Sequence, residues 1–261
     1  MRFAHISDLH LSQTLVAGVR ADAAAIVEQL SRDILRISEI LDFVVVSGDV
    51  TEDAEFASFR QFEDMFAQIG LPVYMVPGNH DGPAVYYNCL DQFPTLSSWD
   101  ITNKVVELPG LCLLGIDTCI EGETTGRIKA DAMKIIERES ARRGAPPLVI
   151  VMHHPPITTG LQEFDAVSQL EGIAELHDII KRSERPKLIL SGHVHRPYQG
   201  RIDGAGCFVA GSTTSAFAPD LPFGSSPILF RGLQDFYYVY EVDENGRYVV
   251  TPQHFPYVPS E

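Results

Sequence analysis

The stretch RFAHISDLH, residues 2–10, combines a short, mostly apolar strand with Asp8 and His10 directly after it. The same arrangement recurs in FVVVSGD, residues 43–49, and in LVIVMHH, residues 148–154. Continuous apolar runs of this length are typical of strands that are buried on both faces of a parallel sheet. These stretches therefore predict parallel strands that each end in a side chain able to bind a metal ion.

Helical patterns separate the strands along the chain, which indicates strand–helix–strand units and a layered α/β fold. The expected strands are Arg2–Ser7, Phe43–Ser47, Val73–Val76, Leu111–Ile116, Leu148–Met152 and Leu188–Leu190. Apolar residues at helical spacing predict helices within Gly18–Ile40, Ala54–Ile69, Ile128–Arg143 and Gly172–Lys181. The segments Pro83–Asn103 and Ser212–Leu233 follow neither period, so we expect loops that shape a substrate pocket.

The pattern becomes antiparallel after Leu190. Strands are expected at Tyr198–Ile202, Cys207–Ala210, Phe236–Val242 and Arg247–Pro252. Residues 243–246, Asp-Glu-Asn-Gly, predict a hairpin turn because Asn-Gly readily adopts positive φ. We interpret residues 1–261 as a single domain. Its C-terminal β-hairpin region, residues 234–255, either completes the sheet or projects as a candidate contact of a homo-oligomer, since its aromatic side chains suit both roles.

Composition restricts the class of protein. Hydrophobic residues make up 45% of the 261 residues and the net charge is −15, which predicts a large core and disfavours binding to duplex nucleic acid. No stretch of eighteen apolar residues exists, so no membrane partner is expected. The N-terminus lacks the basic and apolar regions of a signal peptide, and the four cysteines form no C-x-x-C pair. A cytoplasmic protein with reduced thiols is the expectation.

Five polar motifs carry the candidate chemistry: residues 8–10, 48–49, 78–81, 153–154 and 192–195. Because ligands bind beyond the carboxyl ends of strands in α/β sheets, these motifs are expected to meet on one rim. Carboxylate, amide and imidazole groups suit ions such as Mn, Fe, Co and Zn, whereas a closed structural zinc site usually contains cysteine. A carboxylate that bridges two cations about 3.5–4 Å apart would create a site for phosphoryl chemistry.

The five motifs resemble those of the calcineurin-like metallophosphoesterase superfamily. The resemblance covers residues 8–195, and His-His-Pro-Pro at residues 153–156 is similar to the bacterial class III cyclic-nucleotide phosphodiesterases and glycerophosphodiesterases. It implies an α/β fold in the form of a four-layer α/β/β/α sandwich with two mixed sheets, in agreement with the order of strands and helices.

The resemblance also implies a binuclear metal centre. It assigns Asp8, His10 and His195 to the first metal, Asn79, His153 and His193 to the second, and Asp49 to a position between them. The expected catalytic residues are Asp49 and His80, with His80 directed at the substrate as a charge-stabilising group and a candidate general acid. The expected cofactors are two ions among Fe, Mn, Co and Zn, with Fe and Mn expected in the cell.

The expected function is metal-dependent hydrolysis of small phosphodiesters by a hydroxide that the metal pair activates. Cyclic nucleotides, 2′,3′-cyclic nucleotides and glycerophosphodiesters are the candidate substrates. A phosphomonoesterase is the alternative, although no set of arginines that would hold a monoester dianion is identifiable. A non-catalytic metal-binding scaffold is less expected because no ligand is missing. His154 as a ligand in place of His153, and roles for Asp117 and Arg196 near the substrate, stay open.

Overall fold

The computed structural model describes residues 1–160, 162–183, 185–218, 228–230 and 234–256. The strands are β1 Arg2–Ile6, β2 Phe43–Val46, β3 Val73–Met75, β4 Val105–Leu108, β5 Leu111–Ile116, β6 Gly126–Arg127, β7 Leu148–Met152, β8 Leu170–Glu171, β9 Pro186–Ser191, β10 Tyr198–Ile202, β11 Ala205–Val209, β12 Ala216–Ala218, β13 Ile228–Phe230, β14 Phe236–Val242 and β15 Tyr248–His254. The helices are α1 Ala23–Arg36, α2 Phe56–Phe66, α3 Pro83–Gln92, α4 Pro94–Trp99, α5 Ala130–Ser140, α6 Gln162–Val167 and α7 Ile173–Lys181.

Two large sheets organise these elements. The first has the strand order β15–β14–β1–β2–β3, and the second has the order β10–β11–β9–β7–β5–β4. The parallel runs are β1–β2–β3, which ends at the edge strand β3 of the first sheet, and β11–β9–β7–β5 in the interior of the second sheet. Antiparallel pairs add β14 and β15 to the first sheet and β4 and β10 to the second. Both sheets are therefore mixed, as expected.

Alternate residues of the central strands separate the layers. In β2, Val44 packs into a core with α1 and α2, whereas Val45 packs into the core between the two sheets. In β7, Ile150 packs into a third core with α5 and α7, whereas Val151 faces the first sheet. Each of these side chains is fully buried, which stabilises the fold by roughly 1.5–3 kcal/mol per residue. The three cores confirm the four-layer α/β/β/α sandwich.

The C-terminal hairpin completes the first sheet. Strand β14 pairs antiparallel with β1 on one side and with β15 on the other. Tyr237 and Tyr240 are buried, and the ring of Phe208 in the second sheet contacts the ring of Tyr240 at a centroid distance of 5.5 Å. The aromatic residues of the hairpin therefore pack mainly within the sandwich, while Tyr248 stays partly exposed.

The prediction of a loop over Pro83–Asn103 was wrong, because this segment contains α3 and α4. Pro83 and Pro94 each occupy a first position of a helix, where the missing N–H costs no hydrogen bond. The predicted loop Ser212–Leu233 contains the paired strands β12 and β13, and its residues 219–227 and 231–233 lie outside the described residues.

The four cysteines are buried and unpaired. Across the described ranges, no helix is long and apolar enough to cross a membrane.

Candidate metal centre

The candidate site lies where the carboxyl ends of strands from both sheets meet. Asp8, Asp49 and Asn79 follow β1, β2 and β3 of the first sheet, and His153 and His193 follow β7 and β9 of the second. The backbone N–H of His193 donates to Asp8 Oδ1 at 2.9 Å, which joins the rims of the two sheets. The expected residues are thus brought to one place by strand order.

The backbone at the site is held in an uncommon conformation. The described chain contains eight non-glycine residues with positive φ, and five of them are candidate ligands: Asp8 at 55°, His10 at 45°, Asp49 at 49°, His193 at 75° and His195 at 54°. Such residues are disfavoured by about 1–3 kcal/mol each and persist where the surroundings determine them. Their concentration here indicates a functional site.

The first ligand group consists of Asp8, His10, Asp49 and His195, whose ligand atoms all lie within 4.8 Å of one another. The Nε2 atoms of His10 and His195 are 2.9 Å apart. His10 Nε2 lies 3.8 Å from Asp49 Oδ2, and His195 Nε2 lies 3.5 Å from Asp8 Oδ1. All four side chains are buried.

The second ligand group consists of Asp49, His153 and His193, with Asn79 beside them. His153 Nε2 lies 3.2 Å from Asp49 Oδ2 and 3.0 Å from Asn79 Oδ1. His193 Nδ1 lies 2.9 Å from Asn79 Oδ1. Asp49 belongs to both groups, and its buried Oδ2 has no hydrogen-bond partner. This carboxylate is therefore placed to be shared by two cations.

Hydrogen bonds around the first group fix the tautomers of its histidines. His10 Nδ1 donates to Glu52 Oε2 at 2.6 Å. His195 Nδ1 lies 3.0 Å from the Ser215 hydroxyl, which itself donates to the Gly18 carbonyl and must accept from the imidazole. In the neutral rings, both Nε2 atoms consequently carry lone pairs that face each other. A cation between them would turn this repulsion into coordination.

The second group presents acceptors in the same way. His153 Nδ1 donates to the Ser47 carbonyl at 2.9 Å, so its Nε2 directs a lone pair towards the oxygens of Asn79 and Asp49. Burial opposes protonation of His153, but the Asp49 carboxylate outweighs it and raises the pKa to about 9. The cause of this rise, the negative charge of Asp49 beside the ring, would equally attract a cation to this place. The nitrogen and oxygen donors of both groups fit two divalent or trivalent ions.

Two glycines give the ligands the space they need. A Cβ atom on Gly78 would lie 2.1 Å from Asp49 Oδ1 and 2.2 Å from the Asp49 backbone nitrogen. A Cβ atom on Gly192 would lie 2.0 Å from Ser7 Oγ and 2.3 Å from Asp8 Oδ2. Any side chain at either position would displace a carboxylate of the centre.

His80 lies at the exposed side of the centre, with 38% of its side chain accessible. Its Nδ1 is 3.1 Å from Glu52 Oε2, the same oxygen that accepts from His10. Burial would lower the pKa of His80, but the hydrogen bond to Glu52 and the nearby carboxylates raise it to about 9. The ring of His80 is therefore held as a cation beside the ligand groups.

Glu52 is a residue that the sequence analysis missed. Burial raises the pKa of its carboxyl group, but the hydrogen bonds from His10 and His80 outweigh burial and lower it to about 2. Its position three residues after Asp49, in the stretch GDVTE, is the signal that could have found it.

A polar turn at Gly211–Ser215 forms hydrogen bonds with the segment that contains Asp8 and with the ring of His195. Ser212 Oγ donates to the Asp8 carbonyl at 2.6 Å, and Thr214 Oγ1 donates to the Leu9 carbonyl at 2.8 Å. Ser215 accepts from His195, as described above. These hydroxyl groups satisfy the carbonyls of a strained segment, a role that the sequence pattern did not reveal.

His154 has both ring nitrogens engaged by groups outside the two ligand sets. Its Nε2 donates to the Thr124 carbonyl at 3.1 Å, so its Nδ1 accepts from the Thr118 hydroxyl at 2.8 Å. Burial and the charge of His153 lower the pKa of His154 to about 3, which keeps the ring neutral. His154 thus packs beneath the centre, while the Nε2 atom of His153 faces it.

Asp117, at the end of β5, lies on the same rim but in neither ligand group. Its Oδ2 accepts from Lys129 at 2.6 Å and from the Tyr87 hydroxyl at 3.0 Å. Its Oδ1 accepts from the backbone N–H of Cys119 at 2.8 Å. These bonds tie α3 to the segment after β5.

A cavity of about 710 Å³ lies beside His154 and is lined by Thr125, Gly126 and Arg127 and by residues of the segment that follows β7. Gly126 joins the two features, because a Cβ atom there would lie 2.4 Å from the His154 ring. Arg127 forms a salt bridge with Glu171, which also lines the cavity. The volume falls within the usual range of small-molecule sites.

Comparison with known proteins agrees with this geometry. Residues 1–197 match the model of a family described as calcineurin-like phosphoesterase. A probable cyclic nucleotide phosphodiesterase of Synechococcus sp. is 27% identical over 86% of this chain and 85% of its own length. A glycerophosphodiester phosphodiesterase of Enterobacter lignolyticus is 30% identical over 75% of this chain and 71% of its own. The crystal structure of a dimetal phosphatase from Danio rerio has a similar fold, with a TM-score of 0.71 at 12% identity over 97% of this chain and 96% of that one.

Proposed function

The chain belongs to the calcineurin-like phosphoesterase family, and on that premise we propose that it hydrolyses small phosphodiesters with the aid of two metal ions. The observation that carries the proposal is the buried Asp49 carboxylate, which belongs to both groups of converging acceptor atoms. The names of relatives that act on cyclic nucleotides and on glycerophosphodiesters support the diester over other phosphoesters.

The proposed ligands follow the two groups. Asp8, His10 and His195 would hold one ion, Asn79, His153 and His193 would hold the other, and Asp49 would bridge them. Two cations bound there would supply an activated water molecule and charge neutralisation for the phosphoryl group. Fe and Mn are the proposed pair, with Zn and Co as the other ions that this donor set suits.

His80 is the proposed proton donor. Glu52 engages its Nδ1 atom and the raised pKa keeps the ring protonated near neutral pH, so its Nε2–H is available to a substrate. This N–H would donate to a phosphoryl oxygen and protonate the departing alkoxide. His80→Ala is expected to reduce kcat on an alkyl diester about tenfold more than on a nitrophenyl diester, whose leaving group needs no proton. Equal losses would exclude the proton transfer.

The charge of the cavity beside His154 favours a diester. Among the described lining residues, Arg127 is the sole cation and is paired with Glu171, whereas Glu123 and Asp165 add two further acids. This lining supplies no excess positive charge for a phosphomonoester dianion. A diester carries a single negative charge, and its second ester group would occupy the cavity.

The test compares bis(p-nitrophenyl) phosphate with p-nitrophenyl phosphate. Protein stripped by chelator and restored with Mn²⁺ is expected to give a kcat/KM for the diester at least about tenfold above that for the monoester. Asp49→Asn, which keeps the size of the side chain and removes the bridging charge, is expected to abolish both activities. A preference for the monoester would replace this proposal with a phosphomonoesterase.

The natural substrate would be sought with the same enzyme preparation. Cyclic nucleotides, 2′,3′-cyclic nucleotides and glycerophosphodiesters would be compared by kcat/KM, because each class places a different group in the cavity. Thr125→Trp would fill part of the cavity without touching a proposed ligand. The Thr125→Trp variant is expected to raise KM for the natural diester more than KM for dimethyl phosphate, the smallest diester. Equal effects on both would argue against the cavity as the binding site.

We also propose that residues 1–261 act as one domain of a cytoplasmic homo-oligomer. The free cysteines support a reducing compartment. Strand β15 is an edge strand, and Val249 on it is 64% exposed, which supports a contact with a second copy. The net charge of −15 supports the absence of a duplex nucleic-acid partner. Light scattering after size exclusion would detect the oligomer, and a monomer at micromolar concentration would contradict it.

A further inference from the structure

A second cavity lies at the opposite ends of the strands that lead to the metal centre. It has a volume of about 620 Å³, and its lining includes Pro147, directly before β7, and Lys187, near the start of β9. At the other, carboxyl ends of these strands, His153 follows β7 and His193 follows β9. We call it the basic cavity, and it is separate from the proposed active site.

Five cations line the basic cavity: Arg142, Arg143, Arg182, Arg185 and Lys187. They are a quarter of the 20 lysines and arginines in a chain of net charge −15. Glu244 is the sole acid among the described lining residues. A cluster of cations in an acidic protein concentrates positive potential where a small anion can enter.

Two of these cations lack a counter-ion within the described part of the chain. Arg142 pairs with Glu107 and Glu139 at 2.8 Å each. Arg182 pairs with Glu137 at 3.5 Å, and Arg185 Nη1 lies 3.3 Å from Glu139 Oε2. By contrast, neither Arg143 nor Lys187 forms an ion pair with any residue that the structure describes. The cavity therefore keeps uncompensated positive charge.

Arg185 supplies the second observation. It is 8% exposed, its Nε donates to the Pro146 carbonyl at 2.8 Å, and its Nη1 donates to the Glu139 carbonyl. Its Nη2 atom is buried and has no hydrogen-bond partner, and the same holds for the hydroxyl of Ser140 in the cavity lining. The large majority of buried side-chain polar atoms in proteins have a hydrogen-bond partner, so unpartnered donors on two residues of one cavity lining indicate a missing acceptor.

We propose that the basic cavity binds a phosphate-bearing small anion. A tetrahedral dianion offers several acceptor oxygens at once, which matches the guanidinium of Arg185, the hydroxyl of Ser140 and the unpaired charges of Arg143 and Lys187. A buried water could satisfy one donor but would not balance the charge. The volume exceeds that of inorganic phosphate, so the rest of a phosphomonoester also fits.

The test is calorimetric titration of chelator-treated protein with inorganic phosphate, and with adenosine monophosphate and glycerol phosphate, at constant ionic strength. Saturable binding is expected for at least one of them. The double variant Arg143→Glu with Lys187→Glu is expected to weaken it at least about tenfold. The matched control, Lys134→Glu with Arg201→Glu, makes the same change of charge on exposed residues elsewhere and is expected to alter binding less than about twofold.

Two further variants separate the basic cavity from the metal centre and from folding defects. Asp49→Asn is expected to bind phosphate as the wild type does, because it changes only the centre. Ser140→Ala removes an unpartnered donor without a change of charge and is expected to weaken binding about three- to tenfold, with an unchanged thermal midpoint in chloride. Binding weaker than about 10 mM for every anion, loss of binding in Asp49→Asn, or an equal loss in the control would overturn the proposal.

Discussion

The replacement of Gly78 by alanine tests how tightly the carboxylate shared by both ligand groups is held. Gly78 precedes Asn79, and the added Cβ would lie 2.1 Å from Asp49 Oδ1 and 2.2 Å from the Asp49 backbone nitrogen. A flexible side chain could move aside, but this backbone nitrogen cannot, because Asp49 follows the end of β2 by three residues and its carbonyl accepts from His10 N–H at 3.1 Å. The alanine must therefore shift either the Gly78 segment or Asp49.

The size of the effect follows from two opposing contributions. An alanine at an ordinary φ stabilises the folded state by about 0.4–1 kcal/mol through the unfolded chain. Overpacking of a buried site costs about 1–3 kcal/mol and sometimes more. Relative to a glycine-to-alanine control that has the first contribution alone, a loss of roughly 1–3 kcal/mol is expected, which corresponds to about 2–12 °C in Tm for a chain of this size. Displacement of a bridging ligand should also weaken metal binding by about 10–100-fold.

The assay has two readouts and a matched control. Thermal unfolding of metal-free protein measures stability, and metal content at a fixed free Mn²⁺ concentration measures affinity. Gly204→Ala is the control, because its added Cβ has no neighbour within 4 Å and its φ is not in the left-handed region. If Gly78→Ala matched the control within about 0.5 kcal/mol and threefold in affinity, the carboxylate would be less constrained than its contacts indicate.

Three further predictions concern the groups around the centre. Glu52→Gln removes the charge that holds His10 Nδ1–H and is expected to weaken metal binding about 10–100-fold, measured by titration with a metal indicator; an unchanged affinity would refute this role. Burial lowers the pKa of His5 to about 3, so the neutral ring favours the folded state above pH 6.5 and this contribution is lost as pH falls towards 3. In metal-free protein, His5→Gln should reduce the slope of unfolding free energy against pH in this window by up to about 1.4 kcal/mol per pH unit, and equal slopes would contradict it. His154→Gln should keep two metal ions per chain by elemental analysis, whereas His153→Gln should lose one, and the reverse result would exchange their roles.

Much of the fold could be predicted from the sequence because its central strands are encoded locally. Runs such as Phe43–Val46 and Leu148–Met152 are apolar at every position, and this pattern occurs where both faces of a strand are covered. The Asn-Gly turn likewise identified the hairpin that the structure contains. The error at Pro83–Asn103 has a physical reason. Proline disrupts a helix when it lies in the interior, but it is favoured at the first position of a helix. Only the packing of α3 and α4 distinguishes the two cases.

The candidate site divides in a similar way. Every residue of the two ligand groups could be identified from the sequence, because each follows its strand within a few positions. Their roles as ligands stay predictions. Glu52 lies 42 residues along the chain from its partner His10, and Ser215 lies 20 residues from its partner His195. No local pattern specifies such pairs. They arise only after the sheets have brought the motifs together, so they had to be read from the structure.

The tautomers of the histidines explain why these distant contacts matter for metal binding. A neutral imidazole has one lone pair, and the bond to Glu52, Ser215 or Ser47 decides which nitrogen carries it. In each case the proton is directed away from the centre and the lone pair towards it. His154 shows the opposite outcome, since its lone pair is used by Thr118. The hydrogen-bond partner of each ring therefore decides which of two neighbouring histidines is a candidate ligand. Ser47 leaves the Nε2 lone pair of His153 facing the centre, whereas Thr118 and Thr124 use both ring nitrogens of His154.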